Sequence, residues 1–157
     1  MLKIGDPAPD FSLYDSGKNK IILSELKGQN VLLLFFPVAF TRICTQELCS
    51  IRDNIGLYDK SDAKVLGISI DSLYTLAKFK EEQQYNFPLL SDFNKTASTA
   101  YGSLYETWNY DMKGVSKRSA FVVDKEGIIR YAEILENASL EPDYEKIAHT
   151  LAEINKI

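Results

Sequence analysis

The segment VLLLFFPVAFTRIC (31–44) joins a run of apolar residues to a proline and ends at one of the chain's two cysteines. A short and continuously apolar run, here residues 31–36, is typical of a β-strand that is buried on both faces. Pro37 ends this strand, and Thr41 has a side chain suited to the N-cap of a helix. The residues that follow place apolar side chains at helical spacing, at Ile43, Leu48, Ile51 and Ile55. We therefore expect a buried strand that leads directly into a helix beginning at residue 42.

Outward from this segment, strand and helix patterns alternate along the chain. Strands are predicted at 64–70, 88–92, 119–124 and 128–134. Helices are predicted at about 72–85, within 94–102 and at 142–156, the last with Tyr144, Ile147, Ala148, Leu151 and Ile154 facing inward. This order indicates an α/β fold with a central mixed β-sheet flanked by helices. No repeat or Pro/Gly/Ser-rich linker divides the sequence, so residues 1–157 are expected to form a single domain.

Composition narrows the function classes. The chain has 157 residues, 45% of them hydrophobic and 25% charged, as in an ordinary globular protein. The net charge of −4 argues against broad binding to nucleic acid or anionic lipid. The N-terminus lacks an apolar core of signal-peptide length, and the longest apolar run is about half a bilayer span. We therefore expect a soluble protein in the cytoplasm.

The position of Cys44 indicates chemistry. If Thr41 caps the helix, Cys44 lies in the first turn, where backbone N–H groups lack partners within the helix. These donors and the positive end of the helix dipole stabilise a thiolate, and Arg42 is a candidate for a neighbouring cation. The sequence thus predicts a nucleophilic Cys44 whose pKa is lowered. The alternative is an unreactive buried thiol, because free cysteines are often ordinary core residues.

Cys49 lies five residues further along the same predicted helix. On an intact helix, Cα atoms at this spacing are roughly 8–9 Å apart, and their side chains diverge by about 140°. A disulfide needs Cα atoms within about 7 Å. Cys44 and Cys49 therefore cannot pair unless the first turns of the helix unwind. An ordinary core cysteine is the alternative for Cys49, and these two thiols with the single histidine make a poor zinc site.

The pattern Pro-x-x-x-Thr-x-x-Cys, formed by Pro37, Thr41 and Cys44, resembles the signature of peroxiredoxins, the thiol-dependent peroxidases. The resemblance extends over most of the chain. The blocks that carry it are GDPAPDFSL (5–13), VLLLFFP (31–37), LGISIDS (66–72), FPLLSD (87–92) and RSAFVVDKEGIIRY (118–131). It implies a thioredoxin-like fold and an enzyme that reduces hydrogen peroxide and organic hydroperoxides, with no metal or organic cofactor.

The resemblance also implies roles for individual residues. Cys44 would be the thiolate that attacks the peroxide and becomes a sulfenic acid. Thr41 would hydrogen-bond the peroxide and the thiolate, and Arg118 would hold the thiolate and polarise the oxygens. Pro37 would shield Cys44 from overoxidation. Glu47 would organise arginine side chains by pairing, with a solvated helix acid as the alternative.

Two subclasses of the family remain open. A second cysteine at position 49 resembles the bacterioferritin-comigratory type, in which it resolves the sulfenic acid as an intramolecular disulfide. Thioredoxin or a similar dithiol would then reduce that disulfide. The tripeptide Ala39-Phe40-Thr41 and the glutamate at position 47 resemble the sequences of one-cysteine relatives, which an external thiol reduces directly. In either case family members are often homodimers.

Other functions and other uses of the aromatic residues also remain open. A protein dithiol oxidoreductase would normally carry Cys-x-x-Cys, which this chain lacks, whereas a redox sensor is compatible with a helix that must unwind. The apolar aromatic residues would either line a pocket for organic hydroperoxides or form ordinary core. They are Phe35, Phe36, Phe40 and Trp108.

Overall fold

The architecture is a mixed seven-stranded sheet covered by helices, and a computed structural model describes residues 2–156. The strands are β1 (Ser12–Asp15), β2 (Lys20–Ile22), β3 (Asn30–Phe35), β4 (Ala63–Ser69), β5 (Leu89–Ser91), β6 (Arg118–Val123) and β7 (Ile129–Leu135). Their order across the sheet is β2-β1-β5-β4-β3-β6-β7. β3 and β5 run parallel to β4, and the other neighbouring pairs are antiparallel.

Helices follow most of the central strands, as the alternating sequence pattern predicts. They are α1 (Arg42–Asp53), α2 (Ile55–Lys60), α3 (Leu73–Gln83), α4 (Thr96–Ala100) and α5 (Tyr144–Ile154), with short 3-10 turns at Leu23–Leu26 and Asn109–Asp111. The predicted α/β fold with a central mixed sheet is therefore confirmed. Across residues 2–156, no helix is both long and apolar enough to cross a lipid bilayer.

Strand β3 is the centre of this arrangement, and all of its residues are buried. Successive side chains of a strand point to opposite faces of the sheet. Leu32 and Leu34 accordingly pack in one core cluster with residues of α1, α3 and α5. Leu33 and Phe35 pack in the cluster on the opposite face. A continuously apolar strand is therefore required, because both faces of the sheet are covered.

The topology also brings the chemically important residues to one edge. β3 ends at Phe35, and the loop after it leads into the N-terminus of α1. β6 runs antiparallel to β3 and pairs Ser119 with Phe35, so its first residue, Arg118, lies beside the end of β3. Residues far apart in sequence, Cys44 and Arg118, thus meet beyond the carboxyl end of a central strand. Open α/β sheets commonly place their ligand sites there.

Three details differ from the sequence-based expectations. The N-terminal segment forms a hairpin of β1 and β2, whose strands are too short to give a clear alternating pattern. The helix that begins at residue 42 is interrupted at Asn54, whose side-chain amide donates to the carbonyl of Ser50 (2.9 Å). Ala148 of α5 is exposed rather than inward-facing.

Gly67 in β4 allows a close approach between neighbouring elements. A Cβ at this position would lie 2.8 Å from Leu89 Cδ2 and 3.5 Å from a ring carbon of Phe36. We expect Gly67→Ala to lower the free energy of unfolding by about 1–3 kcal/mol, because the surrounding core must shift. Urea denaturation measures this change. Gly56→Ala in α2 is the matched control, since a Cβ there meets nothing within 4 Å. A Gly67→Ala protein as stable as this control would contradict the packing argument.

Candidate active site

Cys44 lies in the first turn of α1, at the position that the sequence predicts for a helix capped by Thr41. Its side chain is fully buried. The Arg118 guanidinium reaches it from the start of β6, and Arg118 Nη2 donates to Cys44 Sγ over 3.4 Å. The structure therefore places a fixed positive charge directly against a thiol that is sealed from bulk water.

Arg118 is itself held from two other sides. Arg118 Nη1 donates to Glu47 Oε1 over 2.7 Å, in an ion pair buried at both ends. Arg118 Nε and Nη2 both donate to the backbone carbonyl of Ala138, at 3.2 and 3.0 Å. Glu47 is thus a buried partner of the arginine rather than a solvated helix acid. These contacts fix the guanidinium plane before any substrate arrives.

Two electrostatic effects act on the pKa of the Cys44 thiol in opposite directions. Burial raises the pKa of the Cys44 thiol above its ordinary value, because a thiolate in this site loses its hydration. The Arg118 charge is the largest effect in the opposite direction and lowers that pKa. The raised value contradicts the lowered pKa that the sequence predicts. That prediction counted the donors at the helix N-terminus but not the cost of burying the sulfur.

Glu47 is the second titratable group of the site. Burial raises the pKa of its carboxyl to about 7, and the Arg118 charge and hydrogen bond only partly offset this shift. Within the described residues, the buried atom Glu47 Oε2 makes no hydrogen bond. A buried carboxylate oxygen without a partner is destabilising when ionised, so a proton on Glu47 relieves a real cost.

The loop between β3 and α1 carries the other two residues of the predicted motif. Pro37 is buried at its start, and Thr41 stands at its end as the N-cap residue of α1. The Thr41 side chain does not cap the helix. Its hydroxyl instead donates to the carbonyl of Val38 over 2.7 Å, which closes the loop on itself. The motif therefore forms a rigid turn around Cys44.

A cavity of about 450 Å³ opens onto the two groups that flank the thiol, Thr41 and Arg118. Trp108, Met112 and the exposed Arg42 line it, and the cation that contacts the sulfur is Arg118. The two alternatives for the aromatic residues, lining a pocket or forming core, therefore apply to different residues. Trp108 lines the cavity, whereas Phe35 and Phe36 belong to the core and Phe40 is half exposed against Phe79.

Cys49 lies on the same continuous helix but faces another part of the protein. Its sulfur is 3.6 Å from Gln83 Oε1 and 3.8 Å from the Tyr85 hydroxyl, and both cysteines are free thiols. Because α1 is unbroken from Arg42 to Asp53, the geometric argument from the sequence applies. The two sulfurs cannot form a disulfide in this conformation.

Comparison with known proteins identifies the family. Residues 4–132 match the model of the AhpC/TSA family. The chain belongs to this family. Alkyl hydroperoxide reductase E of Mycobacterium bovis is 41% identical over 137 residues, which are 85% of this chain and 86% of that protein. Peroxiredoxin Bcp of Escherichia coli is 38% identical over 134 residues, covering 83% and 84% of the two chains.

Solved structures agree with this assignment. Peroxidoxin BcpB of Mycobacterium tuberculosis superposes with a TM-score of 0.87 at 31% identity, over 98% of this chain and 99% of that one. The protein is therefore a peroxiredoxin of the Bcp-like subclass, with the thioredoxin-like fold of that family. Its activity is that of a thiol peroxidase.

Some contacts of this peroxiredoxin site have no signature in the sequence. The Ala138 carbonyl is a backbone group in a loop after β7, and any residue type supplies the same atom. Asp71, whose carboxylate accepts the Ala39 N–H (2.9 Å) in the loop before α1, directly follows the predicted strand 64–70. Its position after β4, at the sheet edge where β3 also ends, is the sequence feature that indicates a place near the site.

The raised pKa of Glu47 predicts a particular pH dependence of stability. Folding takes up a proton at Glu47 between the ordinary carboxyl pKa of 4.5 and the folded value of about 7. Over this window the folded state binds more protons than the unfolded state, so stability falls as pH rises. Glu47→Gln removes the titrating group, and we expect its stability relative to the wild type to increase from pH 5 to pH 8.

Urea denaturation at several pH values measures this difference. The raised pKa of Cys44 does not account for this difference, because Glu47→Gln retains the same thiol. Glu82→Gln, on the exposed surface of α3, is the matched control and should run parallel to the wild type. A Glu47→Gln curve that also runs parallel would show that Glu47 does not gain a proton on folding.

Proposed function

We propose that Cys44 is the cysteine that this peroxidase oxidises. Its thiolate attacks one oxygen of the peroxide O–O bond and forms a sulfenic acid. The other oxygen leaves as alkoxide or hydroxide and takes up a proton, giving an alcohol or water. The observation that carries this assignment is the 3.4 Å contact between Arg118 Nη2 and the sulfur, beside a cavity that opens onto Arg118.

Arg118 is the electrostatic partner in this reaction. Negative charge moves from sulfur to the leaving oxygen in the transition state, and a preorganised cation next to both stabilises it without reorganising. Because Glu47 and the Ala138 carbonyl already hold the guanidinium, little ordering remains to be done when the peroxide binds. Arg118 thus lowers the pKa of the attacking thiol and stabilises the oxygen that leaves.

Thr41 and Pro37 shape the space around the sulfur. The Thr41 hydroxyl has one hydrogen, which the Val38 carbonyl accepts in the resting state. Turning that hydrogen toward a peroxide oxygen lets Thr41 orient the substrate at the cavity. Pro37 is buried at the start of the same loop and excludes solvent from one side of the thiol, which limits further oxidation of the sulfenic acid.

Burial explains how the thiol becomes reactive. Loss of hydration is the largest cause that raises the pKa of Cys44, and the Arg118 charge is the largest that lowers it. When water or peroxide enters from the cavity, the sulfur regains polar neighbours and the effect of burial weakens. The Arg118 charge then has the larger effect on the pKa of Cys44, and the thiolate forms where the substrate is already present.

We also propose that Cys49 resolves the sulfenic acid. Cys49 Sγ attacks the sulfur of Cys44, a disulfide forms and hydroxide leaves as water. The similarity to peroxiredoxin Bcp supports this route, although the N-terminal part of α1 must first unwind. Thioredoxin or a similar dithiol would then reduce the disulfide. In the alternative, an external thiol reduces the Cys44 sulfenic acid directly and Cys49 is a bystander.

The cavity supports organic hydroperoxides as substrates besides hydrogen peroxide. Its volume of about 450 Å³ exceeds what hydrogen peroxide needs, and Trp108, Met112 and Ile43 supply apolar surface. The name alkyl hydroperoxide reductase E, carried by a relative, is consistent with this substrate class. A single domain over residues 1–157, a homodimer and a cytoplasmic location stay predictions from the sequence.

Replacing Arg118 tests the main proposal. We expect Arg118→Met to slow the oxidation of Cys44 by about 100-fold or more, the cost typical of removing one preorganised donor to a developing oxyanion. Stopped-flow measurement of the first oxidation step gives this rate. Arg130→Met is the control, because Arg130 pairs with Asp124 away from the thiol. An unchanged rate for Arg118→Met would remove this residue from the reaction.

Replacing Cys49 tests the resolving step separately. We expect Cys49→Ser to keep fast oxidation of Cys44 but to form no intramolecular disulfide, so that the sulfenic acid accumulates. Mass spectrometry after one equivalent of peroxide distinguishes the products. Turnover with a thioredoxin system should fall to the background, whereas a small thiol still supports it. Full thioredoxin-dependent turnover by Cys49→Ser would show instead that the one-cysteine route operates.

A further inference from the structure

We propose that Asp71 is a positioning residue that clamps the loop of residues 36–41 and thereby sets how often the Cys44 site opens. Asp71 follows β4 at the edge of the sheet where β3 also ends. It touches neither Cys44 nor Arg118 among its hydrogen-bond partners. Its effect on the reaction therefore passes through the backbone of the loop. The part of the proposal that concerns disulfide formation rests on the proposed role of Cys49.

The Asp71 carboxylate joins two neighbouring strand ends. Asp71 Oδ2 accepts the backbone N–H of Ala39 over 2.9 Å and the Ser69 hydroxyl over 2.6 Å. The backbone of Asp71 is fixed as well, because its N–H donates to Ser69 Oγ and its carbonyl accepts the Ser91 hydroxyl at 2.7 Å. The Asp71 carboxylate is thus held by β4 and β5, and it binds the backbone in the middle of the loop that follows β3.

The loop needs such a clamp because its backbone is strained beside the anchored amide. Phe40, the residue after Ala39, has φ of +69°, in the left-handed region that bulky side chains rarely adopt. Strain of this kind persists only where the surrounding contacts enforce it. The contacts that enforce it here include the Ala39 bond to Asp71 and the Phe40 ring against Phe79 at a centroid distance of 4.9 Å.

Release of the clamp reaches the reacting residues directly. Thr41, which follows Phe40, is the N-cap residue of α1, and its hydroxyl donates to the Val38 carbonyl on the other side of Ala39. Freeing the Ala39 amide therefore loosens the Thr41 hydroxyl and the first turn that carries Cys44. The closed loop is needed to oxidise Cys44, whereas the open loop is needed for Cys49 to reach it. Asp71 consequently favours the first step at the expense of the second.

Asp71→Ala in the Cys49→Ser background tests the first step without any contribution from Cys49. We expect Cys44 oxidation to slow by about tenfold, since a charge-assisted hydrogen bond is lost. Asp71→Asn keeps an oxygen acceptor and should recover most of the rate. Asp59→Ala, on the exposed surface of α2, is the matched control and should leave the rate unchanged.

The same substitution in the chain that retains Cys49 tests the second step. We expect the sulfenic acid to convert to disulfide several-fold faster and to resist overoxidation by excess peroxide. Hydrogen exchange followed by mass spectrometry should show faster exchange for residues 36–44 but not for α5. If Asp71→Ala folds poorly, Ser69→Ala serves instead, because it removes one bond to the same carboxylate and should shift both rates in the same directions.

Two results would overturn the proposal. One is an unchanged rate of Cys44 oxidation in Asp71→Ala. Another is a slowing of both steps together with faster exchange throughout the protein, which would mean general destabilisation. A wild-type protein that forms no intramolecular disulfide would refute the role of Cys49 alone, because the rates in the Cys49→Ser background and the exchange of residues 36–44 still decide the role of Asp71.

Discussion

The burial of the Arg118 guanidinium is the constraint on which the rest of the site depends. A buried cation is stable only if negative charges and hydrogen-bond acceptors surround it. Removing one of these partners is strongly destabilising, because it leaves a buried charge without compensation. Glu47 and the Ala138 carbonyl supply these partners, and the Cys44 sulfur completes the shell. Cys44 and Glu47 lie three residues apart on α1, which places both on one helix face toward Arg118. The helix register, the start of β6 and the loop after β7 are therefore all tied to one side chain.

One positive charge serves two acidic groups, and this sets their competition. Arg118 lowers the pKa of both Cys44 and Glu47, whereas an ionised Glu47 raises the pKa of Cys44. With a pKa of about 7, Glu47 is substantially protonated near neutral pH. A proton on Glu47 removes a negative charge near the sulfur and leaves more of the Arg118 attraction for a thiolate. The protonation state of Glu47 therefore changes the charge near the Cys44 thiol, while both groups depend on the same guanidinium.

Features of the fold and the site were predictable where they depend on residues that are neighbours in the sequence. They were not predictable where they depend on distant segments that only the fold brings together. The strand over 31–36, the helix start at residue 42 and the position of Cys44 in its first turn come from neighbouring residues, and the structure agrees. The direction of the Cys44 pKa shift was predicted wrongly. The helix end is visible in the sequence, but the depth of burial depends on α3, α5 and β6 packing around it. A backbone carbonyl at Ala138 and a clamp at Asp71 likewise depend on chain segments that only the fold brings together.

The helix that builds the closed site also separates the two thiols. Cys44 faces Arg118 near the start of α1, whereas Cys49 contacts Gln83 and Tyr85. The C-terminal end is tied down further, because Arg52 Nη1 donates to the Gln83 carbonyl over 2.6 Å. If one half of α1 moves while the other stays, the N-terminal half is the one to unwind, since its contacts converge on the very groups that oxidation changes. Oxidation converts the thiolate that Arg118 attracts into a larger neutral sulfenic acid, so the product of the first step lacks the negative charge that holds the sulfur against Arg118.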